Sequence, residues 1–310
     1  MYHQSVLDNI VPPRDPRVFY DLPPLGGLAS ITRLDDLVTR IVAPNPSSMT
    51  LDGTNTYVVG NSGSGACIVI DPGPKSAIHF DRVESVLHTS DAEVAMVLVT
   101  HHHRDHAAAA QTWAEKWGCT VAANSPKVSG PGGLVFKSAG QTLRFGSLQV
   151  EVVPTPGHCM DHVAFRLENG VLFTGDHILG RGTSVLTWPD GDLVAYIESL
   201  QRILTFGSDA LYPGHGPQLV GEAPEAVINY YLAHRAFREN QLISILGSGP
   251  MTLGDITELI YVGLQDDLKE GARQSTRACL DKLQRADKVR EMSEGLWMIP
   301  EKDSQPSIVA

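Results

Sequence analysis

Four side chains that can bind a metal ion stand close together in one short stretch of the sequence. They are His101, His103, Asp105 and His106 in VTHHHRDH, which follows an apolar run and precedes a run of helix-forming residues. Imidazole and carboxylate groups are the ligands that a hydrolytic zinc site uses, because they bind strongly and leave a position for water. A strand end and a tight turn can aim the first two of them to one side, while the last two enter a helical turn and point toward the same cavity. The spacing could therefore serve two ions, although an isolated run of histidines can also be a solvated turn that binds metal adventitiously.

Three further candidate ligands follow apolar runs downstream. His158 stands in TPGHCMDH, Asp176 in FTGDH and His215 in YPGHGP, each directly after a glycine. Glycine lets the backbone bend sharply, so that the next side chain can face a cleft from the end of a strand. Each of the three alone would more often be a turn residue, but together with VTHHHRDH they predict one metal centre.

In this order, the seven residues resemble the metallo-β-lactamase superfamily, whose H-x-H-x-D-H motif is matched at positions 101–106. The resemblance implies an α/β fold of the αββα sandwich type. The ligands that it implies for one zinc ion are His101, His103 and His158, and those for a second zinc ion are Asp105, His106 and His215. Asp176 would bridge the two ions.

A hydrolytic mechanism follows from such a centre. Two zinc ions that share a water lower its pKa toward neutrality, and the bridging hydroxide attacks an electrophilic carbonyl or phosphorus. Asp105 is the candidate catalytic residue, to orient the water and move its proton, although a role as ligand alone would also explain it. Asp71, in VIDPG, matches an Asp that is usual in the family and would support a ligating histidine; the alternative is an ordinary turn residue. Iron or manganese would also fit a site of mixed nitrogen and oxygen ligands.

The pattern along the chain predicts three regions. Residues 1–34 are rich in proline and turn residues and are expected to form an irregular N-terminal extension. Residues 35–220 mix strand-length apolar runs with helical patterns, which favours a layered α/β catalytic domain. Residues 221–310 become helical, and their helix, helix and β-hairpin order, with a turn at Glu294-Gly295, predicts a small winged-helix-like domain.

Several single elements are predicted within these regions. Helices are expected at Ala107–Trp117, Leu193–Leu204, Ala223–Leu246, Thr252–Val262 and Ala272–Ala286. The apolar run at Leu143–Val153 predicts one strand.

Composition indicates the cellular compartment and the kinds of partner to expect. The chain of 310 residues has a formal net charge of −11, which lowers the expectation for a nucleic-acid or anionic-membrane partner. Four widely spaced cysteines form no C-x-x-C pair, which argues against a zinc finger or a disulfide scaffold. The first residues lack a basic leader, and no stretch approaches the roughly 18 apolar residues that span a bilayer. We therefore expect a cytoplasmic protein that does not bind membranes.

Beyond the ligands, the chain resembles the lactamase-beta-2-like, glyoxalase II-related group of the superfamily. The resemblance lies in NPSSMTLDGTNTYVVG, GDHILGRGTSV and HRAFRENQ, and it implies a hydrolase. The favoured substrate is a small ester, thioester or lactone, and the alternative is a single-strand-specific endoribonuclease that acts on RNA. The short segment between Asp176 and His215 leaves no room for the large inserted domain of the RNA-processing nucleases.

A nuclease would need a basic track for phosphates. The candidates in the small domain are Arg273, Arg277, Lys282, Arg285, Lys288 and Arg290. Because acidic residues are interspersed with them, they are better explained as a solvated helix face. The small domain is instead expected to shape the rim of the active site or to form a homodimer contact, and the loops at 126–137 and 179–192 are expected to select the substrate.

Overall fold

Two sheets lie face to face in the described part of the chain, and helices cover their outer faces. The computed structural model describes residues 10–90, 92–136 and 140–301. The strands of the first sheet, in spatial order, are β1 (Ile31–Arg33), β2 (Val38–Val42), β3 (Asn55–Val59), β4 (Cys67–Ile70), β5 (Val94–Leu98), β6 (Thr120–Ala123) and β7 (Leu134–Val135). Those of the second sheet are β8 (Gln141–Phe145), β9 (Leu148–Pro154), β10 (Val163–Leu167), β11 (Leu172–Gly175), β12 (Ala210–Pro213) and β13 (Leu219–Val220). The predicted αββα sandwich is confirmed.

Eight α-helices are present among the described residues. They are α1 (Ala77–Ser90), α2 (Arg104–Ala107), α3 (Ala110–Trp117), α4 (Pro126–Ser129), α5 (Leu193–Leu204), α6 (Ala223–Leu246), α7 (Leu253–Ile260) and α8 (Asp266–Arg285). Helices α5 and α6 have the predicted bounds. None of the helices in the described ranges is long and apolar enough to cross a membrane.

Strand β4 shows why the stretches of sequence that form buried strands are continuously apolar. Alternate side chains of a strand point to opposite faces of the sheet. Ile68 and Ile70 belong to the core between the two sheets, whereas Cys67 and Val69 belong to the cluster beneath α1, so both faces are buried. The parallel pairing of β4 with β5 brings the end of β4 beside the start of the histidine motif.

The prediction of a single helix at Ala107–Trp117 is wrong. The chain forms two helices there, α2 and α3, separated by a turn at 108–109. The loop after β4 explains the break, because Gly73 donates its N–H to the carbonyl of His106 and accepts the N–H of Ala109. These bonds tie the metal-motif helix to the end of β4.

Other elements also differ from their predictions. The run Leu143–Val153 is a hairpin of β8 and β9 rather than one strand, because Gly146 adopts a left-handed conformation (φ 58°) at the turn. The region 1–34 is not irregular throughout, since Ile31–Arg33 pairs with β2; its first nine residues lie outside the described residues. Helix α8 begins at Asp266, six residues before the predicted start, and α1 was not predicted.

The C-terminal part has the predicted winged-helix arrangement. Strands β14 (Met251–Thr252), β15 (Arg290–Glu291) and β16 (Leu296–Met298) form a small sheet against α7 and α8. The turn of the wing contains Gly295 at φ 72°, as the sequence predicts. Trp297 is fully buried in a cluster that also contains Leu193 and Tyr196 of α5, so the core continues from the small sheet to the helices of the sandwich. Residues 302–310 of this predicted region lie outside the described residues.

Candidate metal centre

All seven predicted ligands lie at one edge of the sandwich. The motif at 101–106 follows β5, and the other three ligands follow β9, β11 and β12. The two downstream histidines are both buried: His158 is 4% exposed and His215 is 1% exposed. Strand ends from both sheets therefore converge on one cluster, as the sequence predicts.

The first group of potential ligands comprises three histidines and one carboxylate. The Nδ1 atom of His103 lies 3.0 Å from Nε2 of His101 and 3.0 Å from Nε2 of His158. The Oδ2 atom of Asp176 lies 4.0 Å from Nε2 of His101 and 3.9 Å from Nε2 of His158. Four atoms at these separations can surround a single cation.

The second group comprises two histidines and two carboxylates. Nε2 of His106 and Nε2 of His215 lie 3.2 Å apart, and Oδ2 of Asp105 is 3.2 Å from Nε2 of His215. The other oxygen of Asp176, Oδ1, lies 3.3 Å from Nε2 of His106 and 3.4 Å from Nε2 of His215. Asp176 thus presents one oxygen to each group.

Each histidine ring also has a nitrogen that points away from the cluster, and the partner of that nitrogen determines which nitrogen faces the cluster. Nδ1 of His106 lies 2.8 Å from a carboxylate oxygen of Asp71, and Nδ1 of His158 lies 2.5 Å from the carbonyl oxygen of Val185. These oxygens only accept, so both Nδ1 atoms carry the proton and both Nε2 atoms present lone pairs to the cluster. Nδ1 of His215 similarly faces the carbonyl of Gly53, at 3.2 Å.

This donor arrangement fits metal ions. Lone pairs of His106 and His215 that face each other at 3.2 Å repel unless a proton or a metal ion lies between them. Oδ1 of Asp176 is buried without a hydrogen-bond partner in the described part of the chain, which a cation would compensate. Each group therefore has the composition and the convergent lone pairs of a metal site.

The pKa shifts of the cluster also indicate that it stabilises positive charge. Burial opposes a charge on His215, but Asp176 and Asp105 outweigh burial and raise the pKa of His215 to about 9. Burial would raise the pKa of Asp176, yet His215 and His106 hold that pKa well below its usual value. The carboxylates thus remain ionised and stabilise positive charge, whether it is carried by protons or by a metal ion.

Asp71 contacts three donors at the end of β4. Its Oδ1 accepts the backbone N–H of Thr100 at 2.8 Å, while its Oδ2 accepts the Thr100 hydroxyl and Nδ1 of His106, both at 2.8 Å. Its backbone has φ 50°, a conformation that side chains other than Gly rarely adopt. Asp71 therefore makes the contact that is expected of a residue that supports the candidate ligand His106.

Some residues that shape the site were not predicted. Nε2 of the buried His162 accepts the backbone N–H of Asp176 at 3.2 Å, and its Nδ1 lies 2.7 Å from the hydroxyl of Thr155. A Cβ atom at Gly214 would lie 2.5 Å from Oδ1 of Asp176, so this glycine is required for space and not for a left-handed bend. The only sequence signal for His162 is that it is the second histidine of TPGHCMDH.

The loop from Ile178 to Thr187 connects the metal centre to the C-terminal helices. Val185, in this loop, supplies the carbonyl that faces His158. Arg235 of α6 donates to the carbonyl of Ser184 at 2.6 Å, and the N–H of Leu186 donates to the hydroxyl of Ser275 in α8 at 3.1 Å. Both neighbours of Val185 are therefore held by the C-terminal part of the chain.

The N-terminal segment holds the same loop. The guanidinium of the buried Arg17 donates to the carbonyl of Leu179 at 3.0 Å and to that of Gly182 at 2.6 Å. The hydroxyl of Tyr231 lies between them, accepting the N–H of Leu179 and donating to the carbonyl of Gly182. The segment that was expected to be an irregular extension thus helps to hold the loop that contains Val185.

The fold, the seven converging side chains and the appended winged helix together define a metallo-hydrolase of the sandwich type. Comparison with known proteins agrees: residues 49–215 match the metallo-beta-lactamase superfamily, and residues 252–297 match the beta-lactamase associated winged helix domain. The chain belongs to the metallo-β-lactamase superfamily, whose members are metal-dependent hydrolases.

Named relatives resemble the chain over most of its length. It is 34% identical over 279 residues to the beta-lactamase-like protein 2 homolog of Drosophila melanogaster, covering 85% of this chain and 93% of that protein. It is 34% identical over 270 residues to the lactamase-like protein nscB of Trichophyton equinum, covering 80% of this chain and 77% of that protein. A beta-lactamase domain protein from Burkholderia ambifaria has the same fold, with a TM-score of 0.76, 22% identity, and coverage of 91% of this chain and 96% of that one.

Proposed function

We propose that the chain is a dinuclear zinc hydrolase that cleaves an ester, a thioester or a lactone of a small molecule. The observation that carries the proposal is the orientation of Asp176, whose Oδ1 and Oδ2 face the two separate ligand groups. Zinc suits a tetrahedral site of imidazole and carboxylate ligands, and iron or manganese would also fit. Bound zinc would lower the pKa of a water and polarise the substrate oxygen.

The roles of the protein side chains follow from their positions. His101, His103 and His158 would hold one ion, while His106 and His215 would hold the other with Asp105. The side chain of Asp105 is 29% exposed and that of Asp176 is 13% exposed, so Asp105 is the carboxylate of the second group that is more open to substrate and water. It is therefore the group proposed to orient the attacking water and to move its proton.

A small-molecule substrate is favoured over RNA because several basic side chains of the small domain are already paired. Arg277 lies 3.0 Å from Glu291, Arg285 lies 2.6 Å from Asp192, and Lys282 forms an ion pair with Glu239 at 2.5 Å. Cations that are neutralised by neighbouring carboxylates attract phosphates weakly. The proposed compartment is the cytoplasm, in keeping with four free cysteines.

The test is a parallel assay of the zinc-loaded protein. Its substrates are para-nitrophenyl esters, an acyl thioester, a lactone and a labelled single-stranded RNA. We expect turnover of at least one small acyl substrate, abolished in Asp105→Asn and retained in Asp81→Asn, which makes the same change at an exposed site on α1. RNA cleavage that is lost in Asp105→Asn, without turnover of any acyl substrate, would contradict the proposal.

A further inference from the structure

A cleft with a volume of about 890 Å³ lies beside the metal motif. One wall is formed by the segment from Arg104 through α3, and the opposite wall by α4 with the residue before it. His102 and Arg104 reach the cleft directly from the H-x-H-x-D-H motif, so it adjoins the candidate metal centre. A cleft of this size can hold a small ligand that extends away from the reacting bond.

Three cations line this cleft without a carboxylate partner. Lys75, Arg104 and Lys127 are all exposed, and none of them forms an ion pair in the part of the chain that the structure describes. Three unpaired cations on one cleft form a local positive field on a chain whose net charge is −11.

The two carboxylates of the cleft contact a histidine and form no ion pair with these cations among the described residues. Nδ1 of His102 lies 2.8 Å from Asp161, and its Nε2 lies 3.9 Å from Asp190. Both acidic groups therefore face the histidine that stands between them.

The wall that carries Lys127 is fixed to the wall that carries the metal motif. The side-chain amide of Gln111, in α3, donates to the carbonyl of Val128 at 2.8 Å and to that of Ser129 at 2.7 Å. These two bonds hold the backbone of α4 at a defined distance from α3. Lys127 is thus held by a wall that is tied to the helix after the metal motif.

We propose that this cleft binds an anionic group of the substrate, a carboxylate or a phosphate, while the bond to be cleaved lies at the metal centre. The inference rests on the proposed hydrolase function and adds a substrate class to it. The guanidinium of Arg104 can pair with two oxygens of such a group, and the two lysines supply point charges beside it. Arg104 follows the candidate ligand His103 directly, so the cleft lies within reach of a substrate whose reacting bond is at the metal centre.

The test compares two esters that differ only in a terminal charge. Para-nitrophenyl hexanoate is neutral, and the mono-para-nitrophenyl ester of adipic acid carries a carboxylate at the far end of a chain of equal carbon number. In Lys75→Gln and Lys127→Gln we expect KM for the adipate ester to rise about fivefold, with kcat unchanged and with both constants for the hexanoate ester unchanged. Lys288→Gln, on the exposed surface of the small domain, is the matched control and should change neither ester.

Calorimetry separates this inference from the proposed function. Adipate and inorganic phosphate are titrated into the zinc-loaded protein and the same three variants, and weaker binding in the two cleft variants alone supports the cleft even if neither ester is hydrolysed. The two titrants distinguish a carboxylate site from a phosphate site. Equal effects of the cleft variants and Lys288→Gln, or an equal change of KM for both esters, would overturn the inference.

Discussion

Nδ1 of His106 lies 2.8 Å from the carboxylate of Asp71, a residue on the neighbouring strand end of the same sheet. The carboxylate fixes the tautomer of the ring, so that Nε2 always faces the metal centre. In Asp71→Asn we expect the metal affinity of the second group to fall by about 10–100-fold, because the ring loses this orientation. Competition with a chromogenic chelator measures the affinity. Asp81→Asn provides the same change on the exposed face of α1 and should leave the affinity unchanged.

Asp176 contributes an oxygen to each group of ligands. Replacing it with Asn retains the shape but removes the charge that holds two cations close together. We expect Asp176→Asn to lose at least one ion per chain and to reduce turnover by about 100-fold or more. Elemental analysis and steady-state kinetics measure the two effects, and circular dichroism checks that the fold is intact. Two retained ions with unchanged turnover would show that Asp176 does not bridge.

Ser275 acts on the metal centre through the loop that contains Val185. Ser275→Ala removes the acceptor of the Leu186 N–H, at a cost of about 1 kcal/mol, and frees the carbonyl that faces His158. We expect a several-fold weaker affinity of the first group for zinc, while the second group is unchanged. Arg273→Ala, on the exposed face of the same helix, is the control. If both variants behave alike, the C-terminal helix does not position His158.

His79 links the stability of the fold to pH. The hydroxyl of Thr56 donates to the carbonyl of Asp71 and accepts from Nε2 of His79. A second proton on the ring would therefore have to sit on Nδ1, which is buried and has no hydrogen-bond partner among the described residues. Burial, with a contribution from Arg82, lowers the pKa of His79 from 6.5 to about 4.

The sign of the effect follows from proton binding. Between pH 6.5 and 4 the unfolded chain binds a proton at this residue and the folded chain does not, so acid favours unfolding, by about 3 kcal/mol across that range. We expect His79→Gln to remove this part of the pH dependence, since Gln keeps the donor to Thr56. Urea unfolding of both proteins at pH 7, 5.5 and 4.5 measures the difference. Parallel pH profiles would assign the acid sensitivity to other groups.

The sequence predicted which side chains cluster better than it predicted the groups that hold them in place. His158, Asp176 and His215 were identifiable because their side-chain types and their preceding glycines stand at strand ends. Val185 and Gly53 were not, because they act through backbone carbonyls, which every residue carries. Their role depends on where two distant loops meet, and no local pattern encodes that.

The errors in the fold have a similar origin. The alanine-rich run after the motif has high helix propensity, but two hydrogen bonds from Gly73, more than 30 residues earlier, divide it. Helix α1 was missed although Val83, Val86 and Leu87 lie at helical spacing and are buried. The strands buried on both faces and the helices α5 and α6 were predictable, because their sequence patterns are local.

The continuous core around Trp297 bears on how the molecule unfolds. The cluster joins β16 and α8 to α5 and to the outer face of β11, where Leu172 is fully buried. Two regions that match separate families therefore share one apolar interior. Loss of the winged helix would expose that interior beside the loop that carries Val185, so heating should melt both regions in a single cooperative transition. The boundary between the two family matches is thus not expected to separate two independently stable units.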